Sequence, residues 1–148
     1  GIAQHGIEVL AERLVIVNCH GGNITPLKQA ASRILRDYGV ATHVVNWTDY
    51  ARDQMEELFG HDDWSHAGDH ETSVIEYYRP DLVKQEKKEP QTTKAKPETR
   101  SYAYFEELTE QGGLGDPTNS DPEAMEAIIE DATNDILEAL QADIDAGW

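Results

Sequence analysis

The chain has 148 residues, enough for one domain with a sizeable core, and 39% of them are apolar or aromatic. Lys and Arg number 12 against 29 Asp and Glu, a formal charge of −17 that excludes nucleic acid or an anionic membrane surface as the principal partner. The single Cys19 cannot form an internal disulfide and no apolar run reaches the length of a membrane span, so a cytoplasmic protein is expected.

The opening stretch "GIAQHGIEVLAERLVIVN" lacks both the basic n-region of a signal peptide and an initiating Met. Ile2, Ile7, Leu10 and Leu14 fall roughly at helical spacing, and the helix they predict feeds "LVIVN" (14–18), read as a buried strand apolar on both faces. "CHGGN" follows as a turn. Thr25 is the expected N-cap and Pro26 the first residue of a second helix, which continues through Leu27, Ala30, Ala31, Ile34 and Leu35 until Gly39 ends it. "VATHVVNW" (40–47) is β-rich, so residues 14–47 read as a right-handed βαβ unit with parallel strands.

A short helix is expected over 49–59 and another within "HAGDHETSVIEYY", capped by Asp69. The polar stretch "VKQEKKEPQTTKAKPETR" (83–100) holds five of the six lysines and two prolines, and reads as a long excursion loop or insertion. Against an acidic body those lysines suit salt bridges between subunits. "GGLGDPTNSDPEA" is a Gly/Pro turn before a final amphipathic helix, with Met125, Ile128, Ile129, Ala132, Ile136, Leu137, Leu140 and Ile144 expected on its inner face. Two strands are few for a sheet of normal width. With the missing Met, this leads to the expectation that residues 1–148 are the C-terminal part of a larger single domain.

Two segments carry candidate chemistry. "VNCHGGN" (17–23) lies at the carboxyl end of the first strand, where open α/β sheets place their ligands. There His20 would face the crevice, and Gly21 and Gly22 would let the backbone approach a substrate beside Asn23. A tight turn whose His bonds locally accounts for the same letters. In "SHAGDHETS" (65–73), His66 and His70 share a face if one helix carries both. If Ala67-Gly68 is instead a turn, His66 on the loop and Glu71 in the first helical turn converge from two elements. Imidazole and carboxylate suit Zn²⁺, Mn²⁺ or Fe²⁺, but a metal site needs at least three protein ligands, and a solvated acidic loop explains this cluster too. His5, His43 and His61 have no companion at useful spacing, and Asp62-Asp63 reads as a solvated pair. Cys19 reads as a small buried thiol, and Trp47 and Trp64 as core or lid packing.

Taken together, "IVNCHGGN" (16–23), "SHAGDHETS" (65–73) and "GGLGDPTNSDPEA" (112–124) resemble the creatininase (creatinine amidohydrolase) family over about residues 5–140. The resemblance implies a three-layer α/β/α fold with a largely parallel sheet, a homo-oligomer, usually a hexamer, and a site for two divalent metals, Zn or Mn with Fe possible. The substrate would be a small-molecule amide, hydrolysed at a cyclic amide or related C–N bond. His20 and Glu71 become metal ligands and His66 the general acid/base, while His70 falls at a variable position and takes no role. Cys19 stands where the family usually has Gly. A similar N-C-H-G-G-N occurs in archaeal formamide hydrolases of flavin and deazaflavin biosynthesis, the alternative branch; a non-catalytic α/β interaction module is the alternative of another class. The family's N-terminal motif, E-x-H-G followed by a metal-bridging Asp, is missing, since "AQHGIEVL" lies only fifteen residues before His20. The chain alone is therefore expected to bind metal weakly and to be inactive unless completed by the N-terminal segment.

The acidic excess suits a halophile's solvated surface, where salt screens self-repulsion. The melting temperature should then rise steadily from low salt to molar NaCl, and a thermal scan indifferent to salt would remove that explanation.

Overall fold

A computed structural model describes residues 12–60, 66–91, 94, 98–99 and 103–148. The helix expected over 2–13 falls outside them apart from Glu12 and Arg13, as do His5, His61, Asp62, Asp63 and Trp64. By contacts the described chain forms two compact units, one running to Arg52 and resuming over Asp131–Trp148, the other comprising Asp53–Glu130.

The first unit is the βαβ motif. Strands β1 (Arg13–Asn18) and β2 (Ala41–Asn46) pair in parallel from Arg13↔Ala41 to Asn18↔Asn46, and helix α1 (Ile24–Tyr38) joins them and packs against β2. This is the α/β class expected. Gly39 terminates α1 at φ +70°, in the left-handed region open to glycine, and its N–H donates to the Leu35 carbonyl at 2.9 Å. The helix starts earlier than Thr25. A single 3₁₀ turn over Gly21–Asn23 runs directly into it, Asn23 holds the cap position, and Thr25 and Pro26 lie within the first turn, where a missing N–H costs nothing.

β1 departs from the expectation of burial on both faces. Val15 is 44% exposed and Val17 57%, while Asn18 is buried. The face bearing Arg13, Val15 and Val17 is approached instead at its β2 side by the chain's last turns: His43 Nδ1 lies 3.4 Å from Asp143 Oδ2, and Arg13 Nε donates to the Trp148 carbonyl at 2.8 Å. His43 thus has a companion in space that its spacing in the sequence could not reveal. Ile34, Val40, Val45, Ala51 and Ala132 are this unit's buried apolar residues.

The second unit holds most of α2 (Thr48–Phe59), all of α3 (Asp69–Tyr78) and the short α4 (Phe105–Leu108), and the start of α5 (Pro122–Asp145). Met55, Ala103, Met125 and Ile128 are buried here. α5 is capped by Asp121, whose Oδ1 accepts the Ala124 N–H at 3.0 Å, with Pro122 as the first helical residue. On its inner face Met125, Ile128 and Ala132 are buried, but Leu137 is 59% exposed and Ile144 46%. At 3.6 residues per turn Leu137 and Ile144 sit about 140° and 120° around the helix from Ala132, so they belong to the outer side.

α3 is turned inside out relative to its apolar letters. Asp69, Ser73 and Glu76, spaced i, i+4, i+7, are buried, while Ile75, Tyr77 and Tyr78 are exposed. Each inward polar group finds a partner. Ser73 Oγ donates to the Asp69 carbonyl at 2.6 Å and accepts the Asp121 N–H at 2.9 Å. Glu76 Oε1 takes both Lys88 Nζ and Gln85 Nε2, and its Oε2 accepts Ser120 Oγ at 2.6 Å. Lys88 also donates to Ser120 Oγ at 2.6 Å. The first part of the 83–100 segment is therefore fastened to α3, beginning with a 3₁₀ turn over Gln85–Lys87, and Lys88 is engaged within its own chain.

Burial alone would raise the Glu76 pKa, but hydrogen bonds from Lys88, Ser120 and Gln85 and the Lys88 charge outweigh it and hold it below the ordinary 4.5. A depressed folded-state pKa gives stability that is present above the unfolded value and lost as pH falls through the folded one. Stability should therefore decline below about pH 4.5 from this group. Lys88→Met leaves a buried carboxylate without its cation, at a cost of about 3 kcal/mol, and should lower Tm by roughly 10 °C at pH 7 while flattening the acid-side decline. A Tm unchanged at pH 7 would show that the pair is not formed.

Candidate functional site

His20 follows β1 in extended conformation, φ −146° and ψ 124°, with its side chain exposed. Its main chain is gripped by the Asn18 carboxamide: Oδ1 accepts the His20 N–H at 3.3 Å and Nδ2 donates to the His20 carbonyl at 2.9 Å. Nδ2 also donates at 3.1 Å to Oδ1 of Asn46, its register partner on β2, and the same His20 carbonyl accepts the Asn23 N–H at 3.0 Å. Asn46 Nδ2 continues to Thr48 Oγ1 at 2.8 Å and Asp49 Oδ1 at 3.0 Å. The imidazole folds back over Gly22, where a Cβ would lie 2.8 Å from His20 Nε2. A Cβ on Gly21 would meet nothing within 4 Å.

In the second unit the turn reading of "SHAGDHETS" holds, with a different cap. Gly68 is the N-cap of α3, Asp69 is the first helical residue, and Asp69 Oδ1 accepts the neighbouring His70 N–H at 2.8 Å. Ala67 sits at φ +57°, a left-handed conformation uncommon for a residue with a side chain. Glu71 stabilises it by accepting the Ala67 N–H on Oε2 at 2.6 Å. The His66 carbonyl accepts two amides from the Gly-rich segment, Leu114 N–H at 2.7 Å and Gly115 N–H at 3.0 Å, and the Gly115 carbonyl accepts Gln91 N–H at 3.2 Å. Gly113 must be small, since a Cβ there would lie 2.9 Å from Gln91 Cγ. The outcome is His66 Nδ1 3.6 Å from Glu71 Oε2, with both side chains about two-fifths exposed. Phe105 packs edge-to-face on the imidazole, ring centroids 4.9 Å apart at 68°.

His66 and Glu71 are thus brought together. His20, Gly21, Gly22 and Asn23 lie in the first unit and His66 and Glu71 in the second. Among the described residues no three His, Cys, Asp or Glu side chains converge as a metal-binding group. His70 is buried, and Cys19 is exposed at the strand end, against the expectation of a buried thiol. Spacing arguments missed Asn18, Asn46 and Phe105. A signal for the asparagines was present, because both strands end as two apolar residues followed by Asn, in "IVN" and "VVN". As donors, an accessible imidazole on His20 and a half-exposed carboxylate on Glu71 match the nitrogen and oxygen preferences of zinc and manganese.

The family model for creatininase, creatinine amidohydrolase, matches residues 2–140. No curated protein matches. Among solved structures, creatinine amidohydrolase (creatininase) is 24% identical with TM-score 0.72, over 96% of this chain and 61% of its own. A creatininase variant of Zn–Zn type and a creatininase Mn form are each 24% identical with TM-score 0.69, over 97% of this chain and 62% of theirs. The chain therefore spans about three-fifths of the length of these proteins.

The glycines separate by geometry. Gly22→Ala should displace the imidazole, a flexible group, shifting the His20 ring resonances while changing Tm by less than about 2 °C; Gly21→Ala should leave them in place. Equal shifts in both variants would refute the folded-back ring.

Proposed function

Because the chain belongs to the creatininase family, its model match covering residues 2–140, we propose that it is the C-terminal part of a single metal-dependent amidohydrolase domain. The substrate class is a cyclic amide or related C–N bond in a small molecule. The observation that supports this reading beyond the family match is the approach of His66 Nδ1 to Glu71 Oε2, 3.6 Å apart across the turn before α3. Ala67 at φ +57°, the Glu71 carboxylate on its N–H and two amides on the His66 carbonyl fix the turn that presents the two side chains.

In this reading His20 and Glu71 hold divalent metal, zinc or manganese, two ions in the complete site. When bound, such a metal supplies Lewis acidity and a water acidic enough to ionise near neutral pH. The chain's own groups do the rest. His66, with Nδ1 turned to Glu71, exchanges a proton with the substrate through Nε2, the role an imidazole performs near neutrality. Gly21 and Gly22 admit the substrate close to the backbone, and Asn23, whose side chain caps nothing, is available to orient it. Remaining ligands come from the N-terminal portion of the family's domain. Homo-oligomeric assembly, a hexamer by family resemblance, and a cytoplasmic location belong to the same proposal; among the described residues no helix is long and apolar enough to cross a membrane.

The test is metal titration and hydrolysis of creatinine, other cyclic amides and formamides, with and without a polypeptide supplying the N-terminal portion. Expected are weak metal binding and no turnover by this chain alone, and turnover on complementation. His20→Ala and Glu71→Ala should abolish the metal-dependent gain. His66→Ala should cut kcat by about 100-fold or more at unchanged metal content. Robust turnover by this chain alone would overturn its being a part, and activity surviving in His20→Ala would overturn the ligand assignment. Specific activity on formamides would select the flavin-type branch, and a complemented, metal-loaded assembly inert to all substrates would favour the non-catalytic module.

A further inference from the structure

The polar stretch after α3 is anchored at two of its described positions ahead of the aromatic Phe105. Its start is fastened to α3 through Glu76, and further on Lys94 N–H donates to the Leu108 carbonyl at 2.8 Å, tying the segment to α4. α4 itself is closed by the Thr109 N–H on the Phe105 carbonyl at 2.9 Å and by Tyr104 N–H on Glu107 Oε2 at 2.8 Å. All this anchorage fixes a residue that is 44% exposed, so burying Phe105 is not what it achieves. What it does achieve is the edge-to-face contact with His66, at 4.9 Å and 68°, within the range where aromatic pairs attract.

His66 needs such a neighbour. Its main chain is held by Leu114 and Gly115, but at 3.6 Å the Nδ1 to Glu71 approach is too long for a hydrogen bond and does not fix the ring. We infer that Phe105 is a positioning residue: by packing on the His66 imidazole it holds the ring with Nδ1 toward Glu71 and Nε2 free for proton transfer. A proton-transferring group that turns away from its productive angle loses rate steeply, so the effect belongs in kcat and not in substrate affinity. This rests on His66 being the proton-transferring residue.

Ring-proton NMR of His66 tests the contact without reference to activity, and steady-state kinetics of the complemented enzyme tests its use. Phe105→Leu removes the ring current, so the His66 ring resonances should move by a few tenths of a ppm, whereas Phe105→Tyr should keep them near their wild-type positions. Phe105→Leu should lower kcat about 10-fold with KM within about twofold and Tm nearly unchanged, and Phe105→Tyr should restore kcat. Unmoved His66 resonances in Phe105→Leu overturn the inference whatever the kinetics show. Moved resonances with unchanged kcat overturn the positioning role, as does a loss that Phe105→Tyr fails to restore. If the wild-type enzyme turns over no amide while the resonances move as expected, the functional reading has failed and the contact itself stands.

Discussion

A carboxamide taken out of water has two donors and an acceptor to satisfy, and Asn18 satisfies all three at the end of β1. That constraint shapes the turn. The His20 main chain is gripped on both sides, the 3₁₀ turn starts from its carbonyl, and α1 follows without a gap. The sheet register enters the same network, because Asn46 faces Asn18 only if the strands pair as they do. Apolar packing gives the unit its stability, but the direction in which the histidine leaves the strand is set by an amide.

The turn that carries His66 in the second unit obeys the same rule with different chemistry. Glu71 holds the amide of a residue in left-handed conformation, and the His66 carbonyl gathers two N–H groups from a segment almost fifty residues on. Further along α3 Glu76 collects Lys88, Gln85 and Ser120. Buried polar networks of this kind rigidify when every member is satisfied. They also connect the motif to parts of the chain with no chemistry of their own, namely the polar stretch after α3 and the loop before α5.

How much of this could be read from the letters differs by element. The βαβ unit was legible because β-branched runs, a terminating glycine and helical spacing all agreed, although its helix start was misplaced by a 3₁₀ turn that continues straight into the helix and its first strand is not buried on both faces. The turn at Ala67-Gly68 was one of two open readings, since nothing local decides between a helix and a loop before Asp69. Leu137, Ile144 and Val15 were assigned inward on apolarity, although apolar residues are common at protein surfaces. α3 was the hardest to read in this way, because its buried stripe is Asp, Ser and Glu. The distant partners of Glu76 are Gln85, Lys88 and Ser120, 9, 12 and 44 residues away in the sequence, and that of Ser73 is Asp121, 48 residues away. Phe105 was invisible for the same reason: its contact with His66 joins residues far apart in the sequence.

The dependence of the His20 turn on two asparagine side chains has a chemical consequence of another kind. Carboxamides hydrolyse slowly to acids on prolonged heating, and Asn is among the residues that hyperthermophilic proteins reduce. Conversion at position 18 would exchange a group that both donates and accepts for one that accepts only, setting a negative charge against the carbonyl of His20 and the oxygen of Asn46. The strands would remain paired through their backbones, yet the turn between β1 and α1 would lose its grip. A preparation of this protein could thus age at one end of its sheet while its fold, judged by overall helicity, still looked intact.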